Sequence, residues 1–306
     1  SSRSRRQEPQ VMPWDGSKLT RLRRPALRSI PDLAHRLQRP TQQYLRRRRS
    51  AASLAGTAVV ASRPSSPVVA GGEEPMIRPI AVGTSLAATV ARLGAGLKVG
   101  RLGPRPTDLI ELYEFEGCPY CRKVREALTM LDLEAMIYPC PAGGKRFRPT
   151  ARKLGGKSMF PFLVDPNTGK QMYESDDIVR YLYATYGDGE PAVTLRLGPL
   201  TNVTSFLATA ARPFSGRNAV AAKAPKKPLE LWSFEASPFC RLAREALCEL
   251  EIPYVLHNVG KGSPSRDAFT KRSGKMMVPY LVDPNTNTAM FESSDIVTYL
   301  HETYGK

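Results

Sequence analysis

Cys118-Pro119-Tyr120-Cys121 are the residues of this 306-residue chain best suited by type and spacing to do chemistry. Ile110–Phe115 alternates and is rich in apolar and aromatic residues, which predicts a strand. Pro119 suits the first turn of a helix, and Val124, Ala127, Leu128 and Leu131 then recur as one apolar stripe. The first cysteine is therefore expected at a helix N-terminus, where unpaired N–H groups and the helix dipole stabilise a thiolate and lower its pKa. The second falls one turn inside the helix, close enough to form a disulfide. This predicts Cys118 as an exposed nucleophile and Cys121 as its resolving thiol. Glu114 and Glu116 before the motif nearly cancel Arg122 and Lys123 after it, so the helix terminus has to supply most of the stabilisation. Half of a zinc site is the structural alternative. The sequence has no second C-x-x-C or His-rich partner for it, so no metal is expected.

The elements that must position this motif occur twice. Glu111–Leu128 (ELYEFEGCPYCRKVREAL) returns as Glu230–Leu247 (ELWSFEASPFCRLAREAL), Leu163–Thr168 returns unchanged as Leu281–Thr286, and Glu174-Ser175 returns as Glu292-Ser293. The chain is two copies of one unit, offset by about 118 residues with a single-residue deletion. In each copy a second strand (Glu134–Tyr138) and a short Lys/Arg-rich helix follow the first helix. A hairpin then turns at Asp165-Pro166-Asn167-Thr168-Gly169, and a last helix is expected to be capped by Ser175. The order β-α-β-α-β-β-α predicts an α/β fold, a mixed sheet with helices on both faces. Ahead of each copy, Ser85–Leu97 and Leu200–Ala211 have helical apolar spacing. These are expected to be amphipathic helices packed on their own domains, with a membrane-surface anchor as the alternative.

Composition bounds the rest. With 42% apolar and 24% charged residues the chain can bury cores, and five cysteines do not suggest a disulfide scaffold. Long uncharged stretches such as Pro79–Ala91 and Leu197–Ala211 fall short of the ~20 residues that span a bilayer. At most peripheral membrane contact is expected. The net charge of +17 is uneven: residues 1–80 hold 16 Lys/Arg against 5 Asp/Glu, whereas residues 108–187 hold 11 of each. A nucleic-acid-binding domain would carry the charge on its folded face, so no specific nucleic acid is expected. The Arg-, Ser-, Ala- and Pro-rich, acid-poor leader has transit-peptide composition, a solvated tail being the other reading. The expected layout is a leader over 1–84, a helix and linker over 85–107, a first domain over 108–187, a linker with a helix over 188–228, and a second domain over 229–306.

The C-P-Y-C motif, Phe160-Pro161 and Glu174-Ser175 together resemble the glutaredoxin-type thioredoxin fold, and more narrowly the N-terminal domain of the glutathione S-transferases and of membrane-associated prostaglandin E synthase type 2. Two such domains behind a basic leader resemble plant and algal plastid thioredoxin-family proteins with tandem domains of this kind. The resemblance implies two thioredoxin-like domains, glutathione as co-substrate, and a chloroplast address with the mitochondrion as alternative. It implies that Pro161 is a cis-proline facing Cys118, that the Phe160 backbone pairs with the cysteinyl part of glutathione, and that Glu174 and Ser175 hold its γ-glutamyl end. An ordinary helix cap is the plainer reading of the last pair. The second copy has Ser237-Pro238-Phe239-Cys240, where a hydroxyl replaces the attacking thiol, but it retains Val278-Pro279 and Glu292-Ser293. It is expected to be redox-inactive, with Cys240 and Cys248 buried and Cys140 without a clear role. The function expected is thiol–disulfide exchange on protein disulfides or glutathionylated proteins. The alternatives are a non-catalytic subunit of an organelle complex and a glutathione-dependent transferase or isomerase. The all-helical domain of full glutathione transferases is missing from the linker of about 40 residues between the copies.

Overall fold

The computed structural model describes residues 77–92, 94–196, 199–210 and 215–306. The leader expected over 1–84 lies outside the described residues up to residue 76. From there on it is helical, because α1 (Ile77–Ala91) begins ahead of the boundary expected at Ser85. The first copy then runs β1 (Ile110–Glu114), α2 (Pro119–Met130), β2 (Ala135–Pro139), α3 (Arg148–Gly155), β3 (Phe162–Asp165), β4 (Lys170–Met172) and α4 (Ser175–Tyr186). The short α5 (Val193–Arg196) and α6 (Pro199–Ala210) lead to the second copy. There β5 (Leu229–Ser233), α7 (Pro238–Glu249), β6 (Tyr254–Asn258), α8 (Ser265–Ser273), β7 (Tyr280–Asp283), β8 (Thr288–Met290) and α9 (Ser293–Tyr304) repeat the order.

Both copies share one eight-stranded sheet, β4-β3-β1-β2-β6-β5-β7-β8. Within each copy the first two strands are parallel and the hairpin is antiparallel. The copies join where β2 meets β6 antiparallel, with Ala135 opposite Leu256, Met136 opposite Val255 and Ile137 opposite Tyr254. Equivalent positions of the two copies exchange places across that pairing, so a local two-fold axis passes between Met136 and Val255. One apolar core runs across the joint. Ile110, Leu112, Val124, Leu128 and Ile178 of the first copy cluster with Leu229, Leu231, Leu247, Tyr254 and Ile296 of the second. The opposite face carries two aromatic clusters, Tyr113–Phe162 and Trp232–Phe269–Tyr280.

The helices ahead of each copy do not pack as expected. Each crosses to the other copy. α1 lies on α7: Ser85 Oγ donates to the Pro238 carbonyl at 2.9 Å, Thr89 Oγ1 donates to that of Ala236 at 2.9 Å, and Arg241 Nη1 donates to that of Ser85 at 2.9 Å. α6 lies on α2, where Ser205 Oγ donates to the Pro119 carbonyl at 2.6 Å. The chain then presses the following turns against the partner copy at two glycines with left-handed φ, Gly96 (76°) and Gly216 (65°). A Cβ at Gly96 would lie 2.8 Å from Glu235 Cβ, and one at Gly216 2.7 Å from Glu116 Cβ, so only glycine fits either place. Apolar spacing shows that a helix has a packing side. It does not show which of two near-identical surfaces receives it.

Crossing the helices buries what would otherwise be the solvent face of α2, and all of Cys121–Thr129 is buried. The charges there form a cluster around the two-fold axis. Arg125 pairs with Glu114, with Glu116 at 3.3 Å and, across the joint, with Glu235 at 3.0 Å. Arg244 pairs with Glu235 at 2.9 Å and, across the joint, with Glu116 at 3.1 Å. Arg92, just past α1, forms a fork–fork pair with Glu126, its Nε and Nη2 at 2.8 and 2.5 Å from the two carboxylate oxygens.

Candidate thiol site and its remnant in the second copy

Cys118 is the N-cap residue of α2, with Pro119 in the first turn, and its Sγ accepts the Cys121 N–H at 3.3 Å. The same sulfur lies 4.0 Å from the Phe160 carbonyl oxygen. The Phe160-Pro161 peptide is cis, and Phe115 packs edge-on to the Phe160 ring at 6.3 Å. The chain therefore brings Cys118, Cys121, Phe160 and Pro161 together at one strand-to-helix corner. One expectation needs correction: Cys118 is not exposed but keeps only 3% of its surface accessible, while its neighbour Tyr120 is exposed.

Electrostatics separate the two thiols. Burial works against ionisation of Cys118, but hydrogen bonds from the Cys121 thiol and from the Cys121 and Tyr120 N–H groups outweigh it and hold its pKa below that of an ordinary thiol. Burial pushes Cys121 far up, and its bond to the Cys118 sulfur and the Cys118 charge add to the effect. Of the acidic flank, the Glu114 charge adds a smaller raising effect on both thiols. Glu116 is held by Arg244 of the second copy. Glu114, buried beside two other carboxylates, is raised to about 7 despite Arg125, whereas Glu235, although buried, is held at about 2 by Arg125, Arg244, Arg122 and Arg241.

Glu174 and Ser175 stand where β4 passes into α4. Glu174, not Ser175, is the N-cap residue; its side chain makes no capping bond, and Ser175 opens the helix as a buried residue. Glu174 has φ 63° and ψ 110°, and Glu292 repeats this with φ 64° and ψ 119°. A non-glycine residue in that region costs about 1–3 kcal/mol. An ordinary cap needs no such backbone, and here the chain adopts it at the same point of both copies.

Sequence reasoning overlooked several neighbours. The Arg148 guanidinium sits 4.8 Å from the centre of the Phe160 ring and is anchored by Nε donating to the Cys140 and Pro141 carbonyls at 3.1 and 2.7 Å. Arg148, Arg152, Lys153 and Ser158 line a cleft of about 530 Å³ on that side. Lys123 bridges from α2 to Asp176 in the first turn of α4 and to Asn202 Oδ1 of α6 at 2.9 Å. The basic run of α3 was readable in the sequence; the crossing of α6 that brings Asn202 here was not.

The second copy keeps the frame and changes the chemistry. Ser237 caps α7, its Oγ accepting the Cys240 N–H at 3.2 Å, and Val278-Pro279 is cis. Burial raises Cys240, and Cys248 is buried with its Sγ on the Gly216 carbonyl at 3.3 Å. Cys140 is buried and raised as well.

Two segments, residues 112–191 and 231–306, match the family model described as the glutathione S-transferase N-terminal domain. They make up just over half of the chain, which therefore belongs to that family as a tandem of thioredoxin-like domains. A search of curated protein sequences gives no match. Among solved structures the chain is similar to the trimeric glutathione transferase TDR1 of Leishmania, with 13% identity over 63% of this chain and 68% of that one and a TM-score of 0.24.

Proposed function

We propose that the first domain is a glutathione-dependent thiol–disulfide oxidoreductase and that the second is redox-inactive. The observation that carries this is the Cys118 sulfur on the Cys121 N–H at the start of α2, with the two thiol pKa values driven apart. Cys118 thiolate attacks the glutathione sulfur of a glutathionylated protein, forming a Cys118–glutathione disulfide and releasing the protein as its thiolate. A second glutathione thiolate, or Cys121 after losing its proton, then attacks that disulfide. The first route yields oxidised glutathione and free Cys118. The second yields a Cys118–Cys121 disulfide and releases glutathione, and two further glutathione molecules reduce that disulfide. In this reading the Phe160 backbone before cis-Pro161 takes the cysteinyl part of glutathione, the Ser175 end of α4 its γ-glutamyl carboxylate, and the cations of the α3 cleft its glycyl carboxylate. The composition of residues 1–80 supports an organelle address, and the resemblance noted above favours the chloroplast.

Purified chain should reduce a glutathionylated peptide with glutathione as electron source, and Cys118→Ser should abolish turnover; undiminished turnover in that variant overturns the proposal. One observation favours a second reading, a non-catalytic subunit of a complex: the near-complete burial of Cys118. A Cys118 that resists alkylation in the folded chain, together with a stable stoichiometric complex, would decide for that reading.

A further inference from the structure

The helices α1 and α6 are built inside out for a water-facing layer. They pack against one another and on α7 and α2, and the residues they turn inward are small: Ser85 and Ala88, Ser205 and Ala208, all fully buried. The large apolar residues point the other way. Ile80, Leu86, Val90, Val203, Phe206 and Leu207 are 51–65% exposed. The stripe of α6 that reads in sequence as a packing face is thus its outer face. A surface helix in water does the reverse. Small residues toward the protein and large apolar ones outward is the arrangement of helices whose surroundings are lipid.

We propose that the outer face of α1 and α6 docks on an anionic lipid bilayer. Length sets the mode. Helices of 15 and 12 residues are ~22 and ~18 Å long, short of the ~30 Å hydrocarbon core. Among the described residues no helix is long and apolar enough to cross a membrane. The pair lies in the plane of the interface, apolar side down. Charge selects the lipid. From Pro79 to Ala91 and throughout α6 there is no charged side chain, while the same chain holds 14 Lys/Arg against 3 Asp/Glu over residues 1–49, separated from α1 by residues 50–76 with one Arg against two Glu. A modest apolar contact holds reversibly, and a polybasic segment tethered in the same chain adds attraction to negative headgroups. The inference is independent of the thiol chemistry.

The test is flotation of the full chain with vesicles of phosphatidylcholine alone or mixed in equal parts with phosphatidylglycerol. The chain should float with the mixed vesicles. Phe206→Ser combined with Leu207→Ser should weaken that partitioning roughly tenfold or more, with circular dichroism and thermal unfolding unchanged. Phe206→Trp should give fluorescence that shifts to the blue on the same vesicles. Undiminished flotation of the double variant would overturn the proposal, because the basic segment alone would then suffice. So would failure of the wild-type chain to float. Dimers in lipid-free solution that the double variant abolishes would assign the face to a second copy instead.

Discussion

At Cys118 and Ser237 one backbone frame holds two different atoms. The sulfur accepts the N–H three residues on at 3.3 Å and the hydroxyl accepts its counterpart at 3.2 Å, each at the start of a helix and each in a copy with a cis-proline. The frame stabilises negative charge, but a serine hydroxyl titrates far too high to use it, so on the proposed reading only the first copy has a nucleophile. Ser237→Cys should therefore create a second thiol that titrates below the ordinary range. Mass spectrometry of the α7 peptide after alkylation across a pH series would show it. A new thiol titrating in the ordinary range or above would mean that the second copy has lost more than its sulfur. The C-x-x-C motif was legible in the sequence because its chemistry is local. The burial of Cys118 was not, since the covering comes from residues far away in the chain.

The joint between the copies buries charges on and just ahead of α2 and α7 that an isolated domain would leave exposed. Arg125 touches Glu114, Glu116 and Glu235, so Arg125→Met leaves three carboxylates in the core short of one cation. We expect a loss of about 3–5 kcal/mol, measured by urea unfolding. Glu114 adds a pH dependence. Its pKa is raised to about 7 in the folded chain, above the ordinary carboxylate value, so between the two the folded state holds a proton that the unfolded state has released. That contribution to stability falls as pH rises through this window. Glu114→Gln should flatten the decline, as checked by urea midpoints at about pH 5 and about pH 8. Arg125 and Arg244 stand at the same place of both copies, beside the apolar stripe rather than in it, so helical spacing assigned them to solvent. What periodicity withheld was direction. The α6 stripe announced a helix with an apolar side, and which side met the protein depended on the polar face of α2, which α6 covers.

For the whole molecule, duplication has become fusion. The β2–β6 pairing, the shared core and the exchanged helices leave neither copy with a complete surface of its own. The two copies should then unfold as one cooperative unit, with far-UV and near-UV circular dichroism following a single transition in urea; two separated transitions would show that the copies are autonomous. The repeat, the element order and the mixed sheet were all readable from strand alternation and helical spacing. The joint was not. Each copy offers two sheet edges, β2 and β4, and nothing in the alternation of either strand says which edge meets its counterpart.

The reading of function rests on Cys118 being ionised near neutrality within an intact fold. The direct measurement is the rate of Cys118 alkylation by iodoacetamide against pH in the full chain, followed on its peptide by mass spectrometry, with Cys121 as internal reference. We expect Cys118 to be labelled with a midpoint below the ordinary thiol range while Cys121 stays unmodified. A midpoint in or above that range, or labelling only after unfolding, would contradict it.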